Sequence, residues 1–180
     1  GQLDKAIEHY RRSLEMAPNW FITLVNLGLA LEQRGDLAEA EKHLDRAVGL
    51  ERDSSVSLVY RGQFHLRRKD YQSAWRDFQA AAPRSRDYFV LHRGLATAAA
   101  GLNRPEEAIR HTRRCFLLDP ATTEQSIVAI STPFWESPDR YAPGIRYYQA
   151  VDRMFPDRWW VRENIVNLSR KAGIPPPTQP

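Results

Sequence analysis

Four alanines set the frame of this chain. Ala6, Ala40, Ala74 and Ala108 stand 34 residues apart, in the settings LDKAIEHY, LAEAEKHL, YQSAWRDF and PEEAIRHT. Other columns keep the same step. Gly28, Gly62 and Ala96 form one, and Ala47, Ala81 and Cys115 form another, with Ser13 before them. Pro18 and Pro120 differ by 102 residues, three such steps. A fixed period of this length means a row of equal supersecondary units, each packed on its neighbours. Small residues that recur at one place in each unit mark where two helices approach closely, because a bulkier side chain would force them apart. Large apolar residues around them fall at helical spacing, as in Leu37, Ala40, Leu44, Ala47 and Val48.

Helix stops are equally legible. Gly35 and the pair Lys69-Asp70 separate helices within a unit, and Pro18, Pro83, Pro120 and Pro156 stand between units, where a missing amide costs little. The pattern predicts ten helices, at about 3–16, 20–34, 36–50, 55–68, 70–82, 88–101, 105–117, 122–132, 142–154 and 159–172.

The segment from Phe21 to Ser54 reads FITLVNLGLALEQRGDLAEAEKHLDRAVGLERDS. In its Leu27-Gly28 pair, its Gly35-Asp36 turn and its two helix-contact alanines, Ala40 and Ala47, it resembles the tetratricopeptide repeat (TPR) family. The resemblance implies an all-α fold, a right-handed superhelical solenoid of antiparallel helix pairs. The array is expected over residues 1–173: a half repeat at 1–20, full repeats at 21–54, 55–88 and 89–122, a divergent repeat at 123–158, and a capping helix at 159–173. A proline-rich tail follows at 174–180. Gly1 falls at a turn between the two helices of a repeat, so the chain is expected to be a fragment of a longer solenoid. Leu3, Ile7, Tyr10 and Leu14 would then lack part of their packing partner, and end-to-end self-association is expected through Leu3, Ile7 and Tyr10.

Composition enters as a set of exclusions. Hydrophobic residues make up 42% and charged residues 27%, so the chain is not disordered as a whole. No run of about 18 apolar residues occurs, so no membrane insertion is expected in this segment. The first twenty residues are charged and patterned as a helix, and no signal peptide is expected in them. Cys115 is the one cysteine, which excludes an intrachain disulfide framework and a cysteine-rich zinc site and leaves cytoplasm and periplasm open. The net charge of +4 is too small to argue for nucleic acid, and no nucleic-acid motif accompanies it. Four of the 26 basic residues are lysines and the rest arginines, which fits a GC-rich coding bias or bidentate recognition of anions. Arg61, Arg67, Arg68, Lys69, Arg76, Arg84 and Arg86 form a basic strip, for which a solvated helix face beside acidic partners is the preferred account.

Residues 123–158 depart most from the pattern. STPFWESPDRYAPG holds three prolines and interrupts the expected tight turn. A loop at 133–143 in a compact array is either functional or a drifted terminal repeat. Phe134, Trp135, Tyr141, Tyr147, Tyr148, Phe155, Trp159 and Trp160 crowd the same region. They form either a stacking surface or an enlarged local core. The core is favoured, with Trp135 and Trp160 as exceptions that the register places near the concave face.

Catalysis finds no support. The chain has no Gly-x-Ser-x-Gly elbow, no His-Glu-x-x-His, no phosphate-binding glycine loop and no dinucleotide fingerprint, so neither enzyme activity nor a cofactor is expected. Cys115 lies in the small-residue column and reads as a buried, inert thiol. His9, His43 and His111 share one column, with Asp77 filling the gap. Stacked helices hold equivalent residues roughly 10 Å apart, whereas metal bonds are about 2 Å long, so no metal is expected and the histidines read as solvated on the outer face. His65 and His92 have no acidic or cysteine partner at ligand spacing.

In the family that this chain resembles, the first helix of each repeat lines the concave groove. That register implies Ile22, Val25, Asn26, Leu29 and Gln33 from one repeat, and Val56, Val59, Tyr60, Gln63 and Arg67 from the next. Val90, Arg93, Thr97 and Gly101 follow, with Trp160, Glu163, Asn164 and Asn167 from the last helix. The partner-binding residues are taken to be Asn26, Leu29, Tyr60, Gln63, Arg67, Arg93, Thr97, Trp135, Trp160 and Asn164. A partner protein or peptide with acidic groups would suit them, because Arg67 and Arg93 offer fork geometry to carboxylates. Two familiar TPR patterns are absent. The carboxylate-clamp positions hold Val25, Leu29, Tyr60, Val90 and Gly94, and the asparagine ladder of O-GlcNAc transferase keeps only Asn26 and Asn164. The expected function is a non-enzymatic protein–protein interaction scaffold. The alternatives are a recruiting arm of a bacterial exopolysaccharide export or enzyme-bearing protein, and direct binding of an acidic polymer or glycan.

Overall fold

The 34-residue step becomes a stack of helix hairpins. The computed structural model describes residues 1–50, 55–85 and 88–176. Ten α-helices lie among them: α1 (Gln2–Met16), α2 (Phe21–Arg34), α3 (Leu37–Leu50), α4 (Ser55–Arg67), α5 (Tyr71–Ala81), α6 (Phe89–Gly101), α7 (Pro105–Leu118), α8 (Pro120–Ser131), α9 (Tyr141–Met154) and α10 (Trp159–Ala172). Every bound falls within two residues of its sequence expectation. Ser54, Arg86 and the end of the proline-rich tail lie outside the described residues.

Helices α2 and α3, α4 and α5, and α6 and α7 pair as antiparallel hairpins. The first helices α2, α4, α6 and α8 also lie side by side, which puts them on one face and α1, α3, α5 and α7 on the other. The result is an all-α right-handed TPR-type solenoid.

The turn inside each hairpin uses one backbone solution three times. Gly35, Lys69 and Asn103 stand 34 residues apart, and all adopt left-handed conformations, with φ of 98°, 59° and 58°. After each, an amide reaches back across the last helical turn: Asp36 N to Leu31 O at 2.9 Å, Asp70 N to His65 O at 2.9 Å, and Arg104 N to Ala99 O at 2.8 Å. This closure satisfies carbonyls that the helix end would leave open. Only the first position is a glycine, so the stack itself enforces the conformation at Lys69 and Asn103.

The small-residue columns are buried as expected. Ala40, Ala47, Ala74, Ala81, Ala108 and Cys115 are fully enclosed. A close approach of three helices is centred on Phe78 of α5. Its ring rests against Gly62 of α4 and Gly94 of α6, where an added Cβ would come within 2.9 Å and 2.4 Å of ring carbons. Two glycines on neighbouring helices therefore make one slot for one ring.

In helix α1, Ile7 is buried, and Leu3, Tyr10 and Leu14, which keep partial exposure, pack beside it against the core of α2 and α3.

The hairpin rule breaks in the divergent unit. Helix α9 packs on α7 and α10, and a 3-10 turn at Thr132–Trp135 lies against α6, α8 and α9. Phe134 in that turn is fully buried, and Gly144 leaves it room: an added Cβ would lie 2.8 Å from Phe134 Cβ. Tyr147 and Tyr148 are buried and share hydroxyl hydrogen bonds with Thr112 (3.1 Å) and Ser131 (2.7 Å). With Phe155, also buried, four of the eight clustered aromatics form a local core. Trp159 is the clear exception, 73% exposed. A second 3-10 turn, Pro138–Arg140, completes the interruption. Glu136 between the two turns meets Lys69 Nζ at 2.7 Å and Arg140 at 3.6 Å, and accepts from Tyr71 Oη at 3.3 Å. These contacts tie the loop to the α4–α5 turn.

Two outcomes test this packing. Gly94→Ala lowers unfolding free energy by about 1–3 kcal/mol through overpacking against Phe78, and adding Phe78→Leu returns part of that loss in urea titrations. Asn103→Val costs about 1–3 kcal/mol, because a β-branched residue resists the left-handed region, whereas Asn103→Gly is neutral or stabilising in the same assay.

Candidate functional site

Seven of the ten expected groove residues come from three adjacent helices: Asn26 and Leu29 of α2, Tyr60, Gln63 and Arg67 of α4, and Arg93 and Thr97 of α6. All seven keep some exposure. Val25 and Val59 are core residues, and Gly101 is covered by the ring of Tyr71. Trp160 and Asn164 sit on α10 at the far end of the stack, where Asn164 Nδ2 donates to Trp160 O at 2.8 Å. Trp135 belongs to the 3-10 turn, half-buried, with Lys171 Nζ 5.4 Å above its ring. Seven of the ten residues therefore come from three adjacent helices, and the other three from α10 and from the 3-10 turn that lies against α6.

The arginines resolve differently from one another. Arg67 Nε and Nη2 donate to the two oxygens of Glu32 on α2 at 2.6 and 2.5 Å, so its fork is already filled. Arg93 makes no ion pair with another described residue, and its carbonyl accepts from Thr97 Oγ1 at 3.0 Å. The basic strip is likewise dispersed. Arg61 pairs with Asp77 and Asp45, Arg68 stacks 5.5 Å above Phe64, and Lys69 meets Glu136. Local acids and rings account for these charges, as the solvated-face reading expects.

Apolar exposure is the better guide to a surface. Ile22, Val56 and Val90 stand one repeat apart near the start of α2, α4 and α6, and the first two are 50% and 47% exposed. Trp20 and Tyr88, two residues before the first and last of these, are 55% and 48% exposed. Val56, Tyr60 and Tyr88 line a cleft of about 450 Å³ with Ser55, Val59, Arg84 and Ser85. Such clustered exposure marks a contact surface more often than scattered apolar residues do. Trp20 and Tyr88 stand just ahead of α2 and α6 and were not among the expected groove residues. The 34-residue step that links them through Ser54 was the available signal.

The outer face holds two polar clefts between second helices. One, of about 280 Å³, lies between α3 and α5 and is lined by Glu41, Asp45, Arg61, His65, Ser73, Arg76 and Asp77. Arg61 bridges its walls, donating to Asp77 at 2.6 and 2.9 Å and to Asp45 at 2.9 Å. The hydrogen bond to Asp77 pushes the guanidinium pKa still further up. His65 is buried here, 3.7 Å from Asp77 and 3.8 Å from Asp70, so tertiary contact supplies the acids that its sequence neighbourhood lacks.

The second cleft, of about 610 Å³, lies between α5 and α7, with His92 and Leu95 of α6 among its lining. His111 is not solvated as its column suggested. It stacks on His92 with ring centroids 5.4 Å apart and Nδ1 atoms 3.1 Å apart, so one nitrogen donates and the other accepts. Burial, then the charges of His92 and Arg110, push its pKa down to about 4. Among the described residues no three His, Cys, Asp or Glu side chains converge as metal ligands. Burial pushes the Cys115 thiol up to about 12, which leaves it protonated and a poor nucleophile. No helix of the described residues is long and apolar enough to cross a membrane.

Comparison with known proteins bears on the fold. A tetratricopeptide repeat family model matches residues 1–56 and 26–89. No curated protein matches the chain. Among solved structures it is similar to MamA (21% identity, TM-score 0.63, 96% of this chain and 87% of that one). It is also similar to a tetratricopeptide repeat protein from Parabacteroides merdae (15% identity, TM-score 0.69, 96% and 68%). A third is YrrB, described as a TPR protein with an unusual peptide-binding site (15% identity, TM-score 0.59, 91% and 94%). At these identities the likeness is one of fold.

The lowered pKa of His111 has a definite consequence. Above pH 6.5 the ring is neutral folded or unfolded, and stability does not depend on it. Between pH 6.5 and about 4 the unfolded chain binds a proton that the folded chain refuses, so stability falls as pH falls. The loss is on the order of 2–3 kcal/mol. Urea titrations at pH 7.5 and pH 4.5 are expected to show it, with a smaller drop in His111→Gln.

Proposed function

The chain belongs to the tetratricopeptide repeat family, and from that premise we propose that it is a non-enzymatic protein–protein interaction scaffold. It takes a partner peptide along the inner face of α2, α4 and α6. The observation that carries this reading is the apolar column Ile22, Val56 and Val90, whose first two members are about half exposed and whose third is partly buried against the core. β-Branched residues repeated at one register position offer an extended or helical peptide an apolar anchor in each repeat. Trp20, Tyr60 and Tyr88 add aromatic surface beside it, the residue type that most often dominates binding energy. Asn26, Gln63 and Thr97 supply polar groups further along the same helices. YrrB, similar in fold, is described as having a peptide-binding site, which supports the class of ligand.

With Arg67 held by Glu32, acidic groups on the partner would meet Arg93 first. The preference is therefore for an apolar peptide with few acids. Trp135, Trp160 and Asn164 come from other elements and carry no part of the reading.

Selection of phage-displayed peptides on the purified chain tests it. The selected peptides are expected to carry spaced apolar residues, and to bind Val56→Asp and Tyr60→Ala at least about tenfold more weakly, with unchanged circular dichroism. Equal binding to both variants would overturn the inner-face site.

A further inference from the structure

The cleft beside Tyr60 lies where one repeat lacks a side chain that its neighbours supply. A step of 34 residues carries Phe21 to Ser55 and Ser55 to Phe89, so α2, α4 and α6 begin with a phenylalanine, a serine and a phenylalanine. Phe21 packs against the core of α2 and α3, and Phe89 is partly buried. A second column changes in the same repeat, since Leu50 and Leu118 stand one step either side of Arg84, which also lines the cleft. Ser55 borders this cleft of about 450 Å³ together with Val56, Val59, Tyr60, Ser85 and Tyr88. Ser55 Oγ lies 2.5 Å from Ser85 Oγ, so the side chain at position 55 is directed at the lining. A ring at that position would project into the cleft.

We infer that this cleft is the specificity pocket of the inner face, and that it takes the phenyl ring of a phenylalanine on the bound peptide. The inference rests on the peptide groove proposed above and adds the side chain that the groove selects. The occupant follows from the chain's own pattern. The two flanking repeats place a phenyl ring at this register position themselves, and the middle repeat leaves the ring to be supplied by a partner. The lining suits such a guest. Val59 is buried and Val56 is about half exposed, which gives the cleft an apolar side. Tyr60 and Tyr88 stand beside them, and a ring packed on other rings gains more than its buried area alone provides. The hydroxyls of Ser55 and Ser85 are bonded to each other, so an apolar guest does not leave them unsatisfied. The volume lies within the range of ligand pockets. Val56 belongs both to this lining and to the column of Ile22 and Val90, so a ring seated here continues the apolar line of the groove.

The test runs a random phage-displayed peptide library in parallel on the purified chain and on Ser55→Phe, which gives the middle repeat the residue of its neighbours. Peptides selected on the parent chain are expected to carry phenylalanine at one fixed place, and those selected on Ser55→Phe to lack that preference. The leading parent peptide is then labelled with fluorescein and titrated by fluorescence anisotropy. Its Phe→Ala version is expected to bind the parent chain at least about tenfold more weakly, the scale of one buried ring, and its Phe→Leu version about threefold or more. On Ser55→Phe the original and Phe→Ala peptides should bind alike, within about twofold. Ile22→Asp, on α2 and outside the cleft, reads the groove separately and should weaken the original and the Phe→Ala peptide by the same factor. Binding that is lost in Ile22→Asp yet indifferent to Phe→Ala and to Ser55→Phe overturns the pocket and leaves the groove standing. A library that yields no binder, or binders that ignore Ile22→Asp and Ser55→Phe alike, overturns the groove and the pocket together. Should Ser55→Phe lose its helical signal, the Phe→Ala and Phe→Leu peptides on the parent chain decide alone.

Discussion

The ring of Phe78 occupies space that two side chains decline to fill. Gly62 and Gly94 lie on neighbouring first helices, and the ring of the intervening second helix sits against both. A stack of helices is only as regular as its closest approaches, since a methyl group at either glycine would displace one helix from the next. The separation set here orders α4, α5 and α6, and so positions both the inner face that presents Val56 and Tyr60 and the outer wall that carries Trp75. The same idea recurs at Gly144, where the missing side chain admits Phe134. There the guest comes from a loop rather than from a paired helix, and the hairpin pattern gives way.

A repeat fixes backbone positions and leaves their chemistry free to change. The outer clefts make this concrete. Asp45, Arg61 and Asp77 form a closed electrostatic unit, half-buried, in which the guanidinium and both carboxylates are satisfied. One step on, the equivalent atoms belong to Gln79, Leu95 and His111, and the site has a different charge balance over much the same frame. The inner face changes less. Ile22, Val56 and Val90 keep one apolar character through three repeats, while their neighbours at the next polar position run through Asn26, Tyr60 and Gly94. Constancy in one column and drift in the other suit a surface that anchors by apolar contact and varies in its polar detail.

The loop around Glu136 shows how a departure is accommodated. Prolines at 133 and 138 shape two 3-10 turns, and Glu136 then gathers Lys69, Tyr71 and Arg140. Burial and the adjacent carboxylate push the Tyr71 hydroxyl up to about 12, so it remains a donor. Exposed ion pairs contribute little each. Three partners on one carboxylate, with Phe134 sunk in the core beside it, hold the loop as part of the fold.

The repeat, the ten helices, their bounds and the enclosed small columns were legible in the sequence, because each is a local pattern stated several times over. Periodicity of 34 and helical spacing of apolar residues need no knowledge of what lies across the stack. The turns were legible in place but not in kind: Gly35 announces a left-handed residue, whereas Lys69 and Asn103 adopt one only because packing on both sides demands it. Charge was the least legible. Arg67 looked available until Glu32, 35 residues earlier, was found filling its fork, and His65 looked partnerless until Asp77 came within reach. Register says which residues are equivalent. Only the superhelical stacking of the helices decides which columns face each other and at what distance, and both ion pairing and burial depend steeply on that distance.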